Sequence, residues 1–273
     1  MEVGYEMRPD AWTVLRAWAF FSEIGAWVLA VVMALRGELL WAGVCVVYAL
    51  GADAAGRLWS RKSPVPMPHF MRWVLLVPRG PHSPKRVEQI LQPRSGERML
   101  EIGPGVGVHA LPIASSLLPN GVLDVLDVQQ EMLDELKRRA ANSGLTNIAP
   151  TQGDAQKLPY PDHIFDAAYL ISVLGEIPDA VAALRELRRV LKPDGRLLIG
   201  EVLIDPDFIS LPVLQEKAGD AGLAFEQKVG PSFAYCAVFR PAAQSPADLA
   251  NRSLARGREN RAHRSSCELR TRT

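Results

Sequence analysis

At 273 residues the chain has room for one domain of ordinary size plus appendages. Its net charge of +1 argues against a global field that would recruit nucleic acid or an acidic partner. The three cysteines (Cys45, Cys236, Cys267) and five histidines show no metal-ligand spacing. Neither a zinc site nor a disulfide framework is therefore expected, and a reducing setting fits the main domain.

Residues 17–35 are apolar except for Ser22 and Glu23, and residues 39–52 form a second apolar run. Arg36, Gly37 and Glu38 separate them as a tight turn. A helix crossing a bilayer needs about 20 apolar residues, and both runs approach that length. Residues 1–62 are thus expected to form a transmembrane helical hairpin, with helices over about 11–35 and 39–59. Arg8 and Arg16 before the first run, and Arg57, Arg61 and Lys62 after the second, place both open ends in the cytoplasm. Trp12, Trp18, Trp41 and Trp59 lie where interfacial anchors would. Glu23 and Asp53 favour the alternative, a soluble hairpin packed on protein, because a carboxylate in lipid needs a partner. The two could also face each other or a neighbouring copy. The proline-rich residues 63–82 cannot continue a helix and read as a linker, with Phe70–Val77 as a short apolar segment on the domain or at the membrane surface.

From residue 83 to 240, helix and strand patterns alternate. Helices are expected over Lys85–Leu91, Val108–Leu118, Gln130–Asn142, a stretch opening at Pro178, and Leu211–Ala221. Strands are expected at Arg98–Ile102, Val122–Asp127, Asn147–Thr151, Phe165–Ile171, Arg196–Val202, Ala224–Val229 and Phe233–Phe239, with Lys192–Gly195 as a turn. Such alternation gives an α/β fold, a Rossmann-like and mostly parallel sheet of seven strands. Only Gly230, Pro231 and Ser232 join the last two strands, so they form an antiparallel C-terminal edge hairpin. Residues 241–273 are arginine-rich and poor in large apolar side chains, the composition of a disordered basic tail.

The chemistry gathers at strand ends. Glu101-Ile-Gly-Pro-Gly-Val-Gly107 follows the first strand and precedes a helix. Glycines there let the backbone approach a ligand, and the helix start offers free N–H groups. The G-x-G-x-G spacing of Gly103, Gly105 and Gly107 departs from the G-x-G-x-x-G of dinucleotide enzymes. Asp127, at the tip of the second strand, is placed to accept hydrogen bonds from both hydroxyls of a ribose. Asp154, after the third, can accept from an adenine amino group or cap a helix.

These stretches, with L-D-V-Q-Q-E-M-L at 126–133, G-D-A-Q-K-L-P at 153–159, F-D-A-A-Y at 165–169 and L-R-R-V-L-K-P-D-G-R-L at 187–197, resemble class I S-adenosylmethionine-dependent methyltransferases, particularly the ubiquinone/menaquinone C-methyltransferase branch. The resemblance covers about residues 83–240, the expected methyltransferase domain. It implies S-adenosyl-L-methionine as cofactor, with Glu101 near the methionine amino group and Gly103, Gly105 and Gly107 forming the loop that lines it. It implies Asp127 on the ribose, Val128 against adenine, Asp154 and Ala155 on the adenine edge, and Ser172 beside the methyl donor. Many relatives carry Asn or His after the fourth strand. Here the segment reads Ile171-Ser-Val-Leu-Gly-Glu176, so acceptor-facing roles do not transfer.

Transfer of an activated methyl is an in-line displacement in which alignment and exclusion of water do much of the work. Where the nucleophile must lose a proton, Glu176 and Tyr169 are the catalytic candidates, with Glu201, Tyr235, His69 and His82 behind them. A bilayer-spanning hairpin makes a small lipophilic acceptor the natural expectation: a quinone, a lipid or a hydrophobic metabolite. The expected setting is a membrane, with the catalytic domain on the cytoplasmic side and a homo-oligomer formed through the hairpin as a further expectation. The competing functions are a non-catalytic S-adenosylmethionine-binding membrane scaffold or sensor and a nicotinamide-dependent oxidoreductase.

Overall fold

The computed structural model describes residues 11–62, 64, 66–76 and 80–242. The expected tail beyond residue 242 lies outside the described residues, as do Arg8 and the side chains of Trp12, Arg16 and Trp18.

Two long helices open the chain, α1 (Ala11–Leu35) and α2 (Leu39–Lys62). Gly37, at φ +80°, makes the reversal between them, a conformation that costs glycine little. The helices pack as an antiparallel pair through small residues: Ala30, Ala42 and Ala49 are buried, and the Tyr48 hydroxyl meets Ser22 Oγ at 3.2 Å. Asp53 is paired within its own helix, by Arg57 Nε at 2.9 Å. By length and composition Leu39–Ser60, with a mean hydropathy of 1.6, could cross a membrane; the apolar stretch Phe21–Leu35 is shorter. A strap then runs through prolines into a 3₁₀ helix at His69–Leu76, followed by a short turn at Gly80–His82.

The rest is a seven-stranded sheet with helices α3 (Pro84–Leu91), α4 (Ala110–Ser116), α5 (Gln130–Asn142), α6 (Ala180–Val190) and α7 (Leu211–Asp220). The strands are β1 (Arg98–Ile102), β2 (Val122–Asp127), β3 (Ile148–Gln152), β4 (Phe165–Ile171), β5 (Leu191–Val202), β6 (Leu223–Val229) and β7 (Ala234–Pro241). Their order is β3-β2-β1-β4-β5-β7-β6. The pairs among the first five are parallel, and β7 runs antiparallel to both β5 and β6. The expected mixed sheet with antiparallel strands at its C-terminal edge is borne out.

Period-two alternation sorts the core to two faces. Met99, Ala167, Tyr169 and Leu198 pack with α3, α4 and α5 on one side. Leu100, Ala168, Leu170, Leu197 and Phe239 pack with α6 and α7 on the other. Burying both faces is what a parallel sheet requires.

Three details differ from the expected elements. The fourth helix begins at Ala110 and not at Val108, because Gly107 at φ +82° keeps residues 105–109 in turns. The sixth begins beyond Pro178, where the Asp179 side chain accepts from the Ala182 amide at 2.9 Å and supplies the N-cap. The turn at Lys192–Gly195 lies inside β5: its pairing with β4 jumps from Phe165↔Leu191 to Ala167↔Arg196, so those residues bulge without ending the strand.

Candidate functional site

The parallel strands deliver their carboxyl ends to one edge of the sheet, where open α/β folds bind ligands. β1 leads into the glycine loop. Gly103 (φ +64°) and Gly105 (φ +53°) hold left-handed conformations and are also crowded: an added Cβ would lie 2.6 Å from Val173 Cγ2 and 2.6 Å from Leu75 Cδ1 respectively. The Gly103 amide donates to the Leu126 carbonyl at 2.8 Å, which fixes the loop to the end of β2.

Two acidic side chains are buried beside this loop. Glu101 faces the α3–α5 side, and its Oε2 accepts from the Tyr169 hydroxyl at 2.8 Å. Burial raises the Glu101 carboxyl to about 8, with the Asp127 charge adding to the effect and the Tyr169 hydrogen bond opposing it. Asp127 is 8 % exposed at the tip of β2. Its Oδ1 accepts from the Gln129 amide at 2.9 Å. Burial raises its carboxyl to about 6, while hydrogen bonds from the Gln129, Gly105 and Val128 amides pull it down. Three backbone N–H groups thus aim one carboxylate at a fixed point above the glycine loop. Val128 beside it is partly open to solvent.

Asp154 is engaged locally: its carboxylate accepts from the Gln156 amide at 2.8 Å and from the Gln156 side chain. Ala155 is buried. Ser172 closes β4 at φ +54°, and its amide donates to the Gly200 carbonyl at 2.8 Å. Its hydroxyl is buried without a hydrogen-bond partner among the described residues. Glu176 follows on a short 3₁₀ turn. Burial lifts its carboxyl well above the usual range, Asp205, Asp207 and Asp127 push the same way, and the Met67 amide opposes them. Tyr169 is fully buried, and its hydroxyl donates to Glu101.

Other participants carry little sequence signal. The strap lies across the site: the Met67 carbonyl accepts from Gln129 Nε2 at 2.8 Å, the Met67 amide reaches Glu176, and Leu75 stands on Gly105. Apolar residues in a proline-rich linker look like any loop anchor, and the apolar run 70–77 is the one sequence signal for this contact. The loop after β5 closes another side. Glu201 Oε2 accepts from the Ile209 amide at 3.1 Å, while the Tyr235 hydroxyl donates to the Ile209 carbonyl at 2.7 Å. Glu201 Oε1 is buried without a hydrogen-bond partner among the described residues. Helix α2 pins the same loop: Arg57 donates to the Leu203 carbonyl at 2.7 Å and the Asp205 carbonyl at 3.1 Å, and the Ser60 hydroxyl to Asp207. His109 sits at the N-cap of α4 with its Nε2 on the His82 carbonyl at 2.9 Å, a structural contact. Among the described residues no group of His, Cys, Asp or Glu side chains could hold a metal ion.

Residues 100–199 match the family model described as a methyltransferase domain. This segment thus resembles a methyltransferase domain. S-adenosylmethionine is the cofactor of this class of enzyme. The ubiquinone/menaquinone biosynthesis C-methyltransferase UbiE of Pseudomonas putida is 39 % identical over 109 residues, which cover 40 % of this chain and 43 % of that one. The corresponding protein of Saccharophagus degradans is 37 % identical over 109 residues, covering 40 % and 44 %. The chain thus spans less than half the length of the curated relatives it matches. Among solved structures, an S-adenosylmethionine-dependent methyltransferase from Aquifex aeolicus superposes with a TM-score of 0.59 at 21 % identity, over 64 % of this chain and 98 % of the other. A second, described as a putative S-adenosyl-L-methionine-dependent methyltransferase from Methanococcus maripaludis, gives 0.55 at 20 % identity, covering 64 % and 92 %. These likenesses show the fold alone. The hairpin lies outside residues 100–199, and the matched segment holds the glycine loop, Asp127, Asp154, Ser172 and Glu176.

Proposed function

We propose that the chain transfers a methyl group from S-adenosylmethionine to a small lipophilic acceptor delivered by a membrane. The observation that carries the binding half is the Asp127 carboxylate, buried, oriented by three backbone amides and standing beside a loop in which Gly103 and Gly105 hold left-handed conformations. An ionised carboxylate so held can accept from both hydroxyls of a ribose. Glu101, on the other side of the loop, suits a cationic amino group, and Tyr169 keeps it in place. Val128 offers an apolar face for adenine, and Asp154 with Ala155 borders its edge. Ser172 lies next to the methyl donor. The cofactor supplies the activated methyl; the protein aligns the acceptor and keeps water out. Burial and the neighbouring Asp205, Asp207 and Asp127 raise the Glu176 carboxyl, which makes its ionised form a stronger base toward an acceptor hydroxyl or carbon acid.

The acceptor class rests on α1 and α2, on the names of the relatives and on the docking of α2 against the loop after β5. In this reading the hairpin crosses or enters the bilayer with the catalytic domain on the cytoplasmic side.

The two acidic groups give cofactor affinity a definite pH dependence. Asp127 has its carboxyl raised to about 6, so it is ionised above that pH and protonated below it. A protonated carboxyl cannot accept from both hydroxyls, so S-adenosylhomocysteine affinity should fall about tenfold per pH unit below this point. Glu101, raised to about 8, is mostly protonated in the free protein at neutral pH and must release that proton to face an ammonium. Affinity should therefore also rise from about pH 6 to about pH 8, with proton release. Calorimetric titration in buffers of different ionisation enthalpy reads both effects. A flat profile would remove Asp127 and Glu101 from the cofactor site.

The acceptor is tested by supplying methyl-labelled S-adenosylmethionine to the full chain in nanodiscs, with a membrane-lipid extract or a water-soluble extract. Label is expected in the lipid fraction. Label confined to the soluble fraction would overturn the lipophilic acceptor and leave the hairpin as an anchor.

A further inference from the structure

The site-bearing edge of the sheet is rimmed by exposed apolar side chains that belong to the catalytic domain and the strap. Leu203 and Ile204 project from the loop after β5, Ile204 being 79 % exposed. Phe233 lies beside them, because the Leu203 amide donates to the Phe233 carbonyl at 2.7 Å. Phe70 and Trp73 stand on the strap, both about half exposed. This rim is continuous with the hairpin at two points: Trp73 stacks on Phe21 of α1, with ring centroids 6.2 Å apart, and Arg57 of α2 holds the Leu203 carbonyl at 2.7 Å.

Helix length then decides where a membrane can lie. At 1.5 Å per residue, the part of α1 beyond Phe21 and the part of α2 before Asp53 are each about 21 Å long. Their outward faces are apolar: Val28, Val31, Leu35, Leu40, Val44 and Val47 are between 50 % and 83 % exposed. The hydrocarbon core of a bilayer is about 30 Å thick. A hairpin docked at Phe21 and Arg57 is too short to carry the domain on a stalk clear of the lipid. Wherever the hairpin enters the bilayer, the domain comes down with it until the rim meets the headgroups. Glu23, which interacts with Asp53 and Arg57, and the Asp53–Arg57 pair then fall at the interface and not at mid-membrane.

We propose that Phe70, Trp73, Leu203, Ile204 and Phe233 form a bilayer-contacting surface, so that the strap and the loop after β5 meet the lipid–water interface together. The inference rests on the membrane reading of the hairpin and adds that the site itself is pressed against the bilayer. A lipid acceptor would then reach the site sideways without passing through bulk water.

The test uses the full chain in nanodiscs of phosphatidylcholine and phosphatidylglycerol. Cys45, Cys236 and Cys267 are first replaced, and the background is required to bind S-adenosylhomocysteine. Single spin labels are placed through Ile204→Cys and Phe233→Cys, with Val31→Cys as the hairpin control and Ser95→Cys, at the opposite end of the strands, as the aqueous control. Collision with oxygen, which concentrates in lipid, is compared with collision with a water-soluble nickel chelate. The oxygen-to-nickel ratio at positions 204 and 233 is expected to be several-fold above that at 95 and to approach that at 31. A lipid signature at 31 with an aqueous one at 204 and 233 would overturn the proposal while leaving the membrane hairpin intact. An aqueous signature at 31 would overturn both. Protection from both agents at 204 and 233, with a doubled protein mass per disc, would assign the rim to a second copy of the chain and overturn the lipid contact.

Discussion

Replacing Asp127 with alanine is expected to weaken S-adenosylhomocysteine binding by somewhat over 100-fold, about 3 kcal/mol, since hydrogen bonds to a charged group contribute about 1.5–3 kcal/mol each. The loss should leave the fold in place, because the buried carboxylate costs the free protein desolvation energy, as its raised pKa shows. Asparagine keeps one acceptor oxygen and should fall between wild type and alanine. Calorimetry measures the affinity and thermal unfolding measures the fold; unchanged affinity in both variants would sink the assignment of Asp127 to the ribose.

The second large effect is predicted at Gly175, which no motif marks. A Cβ there would lie 2.1 Å from the Asp207 carbonyl oxygen and 2.7 Å from Asp207 Cβ. The neighbour is backbone and cannot swing aside, so Gly175→Ala must force apart the turn that carries Glu176 and the loop that α2 grips through Asp207. Overpacking of this kind costs about 1–3 kcal/mol. Gly219→Ala is the matched control: it lies in α7 with nothing within 4 Å of the added methyl, and it should stabilise by about 0.5–1 kcal/mol. Opposite signs in thermal unfolding are the expected result. Equal signs would mean that the Gly175–Asp207 contact does not hold the two loops together.

The comparison of Asp127 and Gly175 shows what is legible in a sequence. Asp127 could be read because a strand pattern ends on it and a glycine loop precedes it, so residue type and position in the element both point to a ligand. The strands were found for a similar reason: apolar runs such as Phe165–Ile171, buried on both faces, have few alternatives. Gly175 depends on a loop about thirty residues further along the chain approaching it, and spacing does not encode that approach. The same holds for Met67, Leu75 and Arg57. Each acts on the site through a contact made between residues thirty or more apart in sequence. Tyr169 was legible as a buried strand residue, but its bond to Glu101 requires the pairing of β1 with β4. The residues Lys192–Gly195 have turn chemistry and so mark a strand boundary in the sequence, and only the resumed register at Arg196 shows that the strand continues.

The position of β7 bears on how the chain is made. The last strand of the described residues to be synthesised, β7, lies inside the sheet, between β5 and β6. Until Ala234–Pro241 emerges from the ribosome, the outer edge of β5 has no partner, and Leu197, Leu198 and Ile199 stand on an open template of the kind that captures other chains. The helical hairpin, built from neighbours in sequence, needs no such wait. The nascent protein is therefore expected to form its hairpin well before its sheet can close. A chain stopped anywhere between Val202 and Ala234 would keep that hairpin joined to an aggregation-prone half-sheet.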